Sequence, residues 1–322
     1  MPSASPPRER PLGRAPSDVP RGPRRSSSLP GVLVAVVALL GVVATWRVFV
    51  DTWAGQWTEE AVLRGAEYGQ GALWTVAEPV LDVVSVSYIA LVLVTAMLIA
   101  VFRRRWALAI QVVVLVAGSN ITTQLIKRVV TDRPDLGVPG PGMNALPSGH
   151  TTAAASVSAV LVLVVPPRVR PWAAALGAGY TAATGVSTLV GQWHRPSDVM
   201  AAVLVVLFWS CVTCVLVARH PGVPGDSPRT ATGEIAIARS PRSSVAGSRT
   251  GALLLGIAGI AAAVPSALSL RRTWVRAGEL EARADLLTAY AGAVLGVVAV
   301  SALAFAVLLV VRHAATSRVE AP

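Results

Sequence analysis

Three short stretches of this chain put ionisable side chains at the ends of apolar blocks. They are LIKRVVTDRPD, with Lys127, Arg128 and Arg133; PSGH, with Ser148, Gly149 and His150; and GQWHRPSDV, with His194, Arg195 and Asp198. Ionisable groups are costly near hydrocarbon, so those flanking apolar blocks carry information. Each stretch has a plain structural use. Lys127 and Arg128 can snorkel to headgroups, Ser148 can cap a helix, and Asp198 can complement the first turn opened by Pro196. Together they can do chemistry on a phosphate. A helix starting at Ser148 presents unpaired N–H groups and a positive dipole end, which bind anions. Lys127 and Arg133 add charge, and Arg133 can grip two oxygens at once. His194 and His150 can serve as a nucleophile and a proton donor near neutral pH. Asp198 can accept the Nδ1 proton of His194 and leave Nε2 free to attack, the logic of a carboxylate-held imidazole. The remaining histidines, His220 and His313, sit beside arginines at the opposite ends of their blocks.

Something must hold these pieces together, and the composition says what. The 322 residues are 53% hydrophobic and 14% charged, with a mean hydropathy of +0.60. The apolar residues run in long blocks rather than stripes, the mark of an integral membrane protein. Eight blocks are long enough to span at 1.5 Å per residue, near 31–50, 84–102, 106–126, 148–165, 171–190, 197–217, 251–270 and 286–311. The expected architecture is an all-α polytopic membrane helical bundle. Its core of six spans covers residues 31–218, and two further spans over 251–311 form a C-terminal appendage. The Pro-, Ser- and Arg-rich residues 1–30 read as a disordered tail, ahead of a first span expected to be retained as an anchor. Residues 219–250 read as a flexible linker and 312–322 as a second tail. Segment 51–83 mixes Trp53, Trp57 and Trp74 with Glu59, Glu60, Glu67 and Glu78. That mixture suits either a helix lying at the membrane interface or an ordered loop.

The net charge of +11 comes from arginines at block ends and in the tail, which orients the chain in a membrane rather than recruiting nucleic acid. The tail, FRRRW (102–106), PPRVRPW (166–172) and segment 219–250 fall on one side, assigned to the cytoplasm. All three chemical clusters then fall on the extracytoplasmic side of a cell membrane. In 271–285 arginines and acids offset each other. Cys211 and Cys214, amid an apolar block, are expected to pack as buried thiols rather than form a disulfide or redox pair.

The three clusters, in this order and at these helix ends, resemble the type 2 phosphatidic acid phosphatase superfamily, membrane phosphatases related in their core to vanadium-dependent haloperoxidases. The resemblance spans roughly 84–217 and is most specific at PSGH and HRPSDV. It implies that His194 becomes a phosphohistidine, that His150 protonates the leaving group, and that Asp198 orients His194. It also implies that Lys127, Arg133, Ser148 and Gly149 hold phosphoryl oxygens, that no metal or other cofactor is required, and that the partner is a lipid phosphate or diphosphate. Two features depart from the family pattern. Five residues rather than six separate Lys127 from Arg133, which keeps Arg128 open as the alternative. In STLVGQWH, Ser187 and Thr188 stand where the family has Ser-Arg. The loss of one charge-assisted hydrogen bond there is worth roughly 1.5–3 kcal/mol, unless Arg195 supplies the charge. A catalytically impaired lipid-binding relative is therefore a second expectation. A transporter is a weaker third, because no paired Gly/Pro-broken spans occur in two related halves.

Overall fold

The structure, a computed structural model, describes residues 28–83, 94, 98, 106–140, 143–219 and 241–316. Among these residues every regular element is a helix. In chain order they are α1 (Leu29–Thr45), α2 (Trp53–Glu67), α3 (Gln70–Val83), α4 (Trp106–Leu125), α5 (Gly149–Val164), α6 (Arg170–Val190), α7 (Pro196–Arg219), α8 (Pro241–Val275) and α9 (Arg283–Thr316). Single π-helical turns, Trp46–Val50 and Ile126–Val130, close α1 and α4. The chain is an all-α bundle of the polytopic membrane class. Among the described residues, five helical stretches are long and apolar enough to cross a bilayer: Leu29–Val50, Leu108–Val130, Pro196–Leu216, Gly247–Val275 and Arg283–Ala315. The block expected at 84–102 lies almost wholly outside the described residues.

Two of the expected spans are of another kind. α5 has 16 residues, about 24 Å of helix against a hydrocarbon layer of about 30 Å. Its residues from Thr151 to Val160 are all buried, so protein rather than lipid surrounds it. α6 is long enough, but its Gly177, Thr181, Thr184, Gly185 and Ser187 dilute its apolarity. Small residues let neighbouring backbones close in, which favours helix association where lipid removes the hydrophobic drive. Val112, Leu115, Ala155, Ala159, Val206 and Phe305 build the main core, together with Cys211 and Cys214, which are free, buried thiols.

Most of the expected linker, 219–250, lies outside the described residues. α8 begins at Pro241, where proline suits a first helical turn because its missing N–H would have no intrahelical partner. The two C-terminal helices pack on the core: Phe305 of α9 lies so close to Gly177 of α6 that a Cβ there would sit 2.9 Å from its ring. Arg272 and Arg276 both pair with Asp285, at 2.7 and 2.9 Å, so the balance of charge in 271–285 is made by direct contact.

Segment 51–83 forms α2 and α3, and α2 is folded into the bundle. Gln56, Thr58, Glu59, Val62 and Leu63 are buried, with Ala61 and Val62 packed on Leu286 and Ala289 of α9. The reason is close approach at Gly65, where an added Cβ would overlap the Leu286 carbonyl oxygen. Backbone cannot yield as a side chain does. Gly65→Ala is therefore expected to destabilise the protein by about 1–3 kcal/mol, read as a lower Tm in detergent. Gly71→Ala, with open space around it, should leave Tm nearly unchanged.

Candidate active site

The three clusters meet at one end of the bundle. The turn from α6 to α7 carries the nucleophile candidate and is built by backbone hydrogen bonds. Gln192 N–H donates to Leu189 O and Trp193 N–H to Thr188 O, both at 3.0 Å. This is the paired closure of a Schellman motif. Its left-handed residue is Gln192, at φ 57°, a conformation uncommon for residues other than glycine. The reversal lifts Trp193 and His194 off α6. His194 Nδ1 then lies 3.2 Å from Asp198 Oδ2, and the same oxygen accepts the Arg195 amide at 2.9 Å. His194 and Asp198 are both buried, so the carboxylate is locked to the imidazole and its own turn.

α5 starts beside it. Ser148 Oγ caps α5 by accepting Thr151 N–H at 3.3 Å, while Ser148 N–H donates to Asp198 O at 2.9 Å. The mouths of α5 and α7 are thus stitched together directly, with Gly149 and His150 in the first turn of α5. The rings of His150 and His194 lie 6.2 Å apart, inclined at 65°. The pair meets edge to face. Trp193 lies against His150 at 5.4 Å, and Trp74 of α3 packs edge-on to Trp193 at 5.7 Å.

The cationic groups come from α4 and the loop after it. Lys127 is half-buried, within electrostatic reach of Asp198 and His150. Arg128 is exposed and lines a separate groove with Asn120, Gln124 and Val129. Of the two alternatives, Lys127 is the one brought to the site. The loop is fixed by Trp46 Nε1 donating to Asp132 O at 3.3 Å, by Gln56 Nε2 donating to Pro134 O at 2.9 Å, and by Asn144 Nδ2 donating to Thr131 O at 2.8 Å. Arg133 is thereby held inside, its side chain 6% exposed, with Nη1 3.6 Å from Glu59 Oε2. Burial and the nearby Arg195 guanidinium pull its pKa below the usual arginine range.

Sequence reasoning missed the acidic half of this cluster. Glu59 is 1% exposed, and its Oε1 accepts the Ser197 amide at 3.2 Å. Burial, reinforced by Asp198, pushes its carboxyl up to about 7, against the lowering effect of the Ser197 bond and of Arg195 and Arg133. Glu60, half-buried and near Arg195, is also raised by burial. A face reading of α2 offered a signal, because Glu59 shares a face with Gly55, Gln56, Val62 and Leu63, all buried. Thr188 is buried as well, donating to Gly185 O at 2.7 Å while its carbonyl takes the Trp193 and His194 amides. It shapes the turn and brings no charge. Arg195, buried beside His194, stands within electrostatic reach of Glu59, Glu60 and Arg133.

A buried His–Asp pair, a second histidine, a helix mouth and converging cations thus gather at one end of an apolar helical bundle. Residues 108–221, a little over a third of the chain, match the model of the PAP2 superfamily. Neither the curated proteins nor the solved structures give a match. The family points to a phosphatase of phosphate esters, in keeping with the membrane-type fold.

Proposed function

We propose that the protein hydrolyses a lipid phosphate or diphosphate monoester at the extracytoplasmic face of the cell membrane, through a phosphohistidine on His194. The observation that carries this reading is the His194–Asp198 contact at 3.2 Å, with the His150 ring 6.2 Å from that of His194. His194 Nε2 attacks phosphorus, forming the P–N bond as the P–O bond to the leaving group breaks. His150 gives its proton to that departing oxygen. His150 then takes a proton from water, whose oxygen attacks phosphorus, breaks the P–N bond and releases inorganic phosphate. Lys127, Arg133 and the Ser148–Gly149 mouth of α5 hold the non-bridging oxygens, whose charge fixed donors stabilise as it develops. Arg195 is a further candidate for that role.

The candidate substrates are phosphatidic acid, phosphatidylglycerophosphate and polyprenyl phosphate or diphosphate. The purified protein is expected to release inorganic phosphate from at least one of them in EDTA. A panel in which none is hydrolysed faster than in a no-protein control would end the enzyme reading. Thr188, neutral and engaged within α6, favours the second reading, a relative that binds phosphorylated lipids without turning them over. That protein would bind tungstate yet release no phosphate.

A further inference from the structure

We propose that Glu59 is a positioning residue of this site, fastening the Arg133 guanidinium to the first turn of α7 from a helix outside the matched domain. The inference rests on the phosphatase reading for its rate prediction, but not for its binding test. The two carboxyl oxygens reach different partners. Oε1 takes the Ser197 amide at 3.2 Å, and Oε2 faces Arg133 Nη1 at 3.6 Å. Ser197 adjoins Asp198, so Glu59 stands one residue from the group that holds His194. A carboxylate this deeply buried is costly unless it is paired and hydrogen-bonded. The match at 108–221 includes Arg133 and Ser197 but not α2, so α2 adds to the domain the link between them.

The charged groups around Glu59 are Arg133 from the loop, Arg195 and Asp198 from the turn and α7, and Glu60 on its own helix. From α8 and α9 the same cavity is faced by Ser266, Leu270, Thr273, Ala289, Gly292 and Ala293, none of which titrates. Among the described residues, Glu59 Oε2 and the Thr58 and Ser197 hydroxyls have no hydrogen-bond partner, and all three residues line this cavity. It offers about 40 Å³ to the centres of water-sized molecules, where about 10–15 Å³ suffices for one. It therefore suits a few waters rather than a lipid chain, and a proton can reach the carboxyl. With burial raising that carboxyl to about 7, Glu59 is neutral below that pH and anionic above it.

The test compares the full-length wild type with Glu59→Gln, using tungstate as a tetrahedral dianion and phosphate release as the rate. Wild-type tungstate affinity should fall about tenfold as pH rises through about 7, because a carboxylate then competes for Arg133. In E59Q the share of the fall due to Glu59 should vanish, leaving a shallower profile set by the site histidines. Its kcat should drop about tenfold or more from the loosened arginine, and affinity should not weaken. Identical pH profiles and kcat in the two proteins would overturn the proposal, as would a wild type that binds no tungstate. If E59Q does not fold, Glu59→Asp carries the comparison: a displaced inflection supports the role and an unmoved one overturns it. A wild type that binds tungstate without turnover rejects the phosphatase and leaves the binding test intact.

Discussion

His194→Ala is expected to lose phosphate release by about 10⁴-fold or more, while tungstate still binds and Tm stays close to wild type. The size follows from the chemistry. Removing a nucleophile abolishes the covalent route and leaves only what anion binding alone provides. The geometry says why the fold should survive. The α6–α7 turn is held by backbone bonds from Gln192, Trp193 and His194 to the end of α6 and by the Arg195 amide on Asp198. The imidazole itself adds its contact with Asp198 and the ring contact with His150. Two measurements check the assignment: steady-state release of phosphate in EDTA, and acid-labile, alkali-stable radiolabel on the protein after rapid quenching with a labelled substrate. Label on the wild type and none on the variant is the expected result. A variant that turns over at the wild-type rate would remove His194 from the mechanism.

The convergence of three distant stretches was legible because each carries its polar residues at the end of an apolar block, and block parity alone puts those ends on one side. The capping role of Ser148 and the pairing of His194 with Asp198, four residues apart, are local and therefore readable. Glu59 was hidden because its partners, Arg133 and Ser197, are far away in sequence. A segment rich in Glu and Trp also fits a membrane surface as well as an interior. Hydropathy was equally blind to neighbours: the apolar residues of α9 mark a helix that can span, whereas Gly65 and Gly177, which let it touch α2 and α6, give no hydropathy signal. The choice between Lys127 and Arg128 needed the shape of the last, π-helical turn, a kind of turn that recurs at functional sites.

Asp198→Asn should cost about 10²–10⁴-fold in kcat with little loss of fold. One oxygen of Asp198 accepts both His194 Nδ1 and the Arg195 amide, and an asparagine carbonyl in that position can keep both bonds. What it cannot supply is the negative charge that balances the imidazolium character His194 gains when Nε2 becomes bonded to phosphorus. The same change removes a negative charge near Lys127 and Arg133, so tungstate should bind as well as before or better. Asp198→Ala differs in kind: it leaves a buried amide and a buried imidazole without their acceptor, at about 1–3 kcal/mol for each such group. Its Tm should drop along with its rate. The contrast separates charge from scaffolding. An asparagine variant with wild-type kcat would show that the carboxylate's charge is idle. One that lost tungstate binding and Tm together would show that Asp198 serves the fold before the reaction.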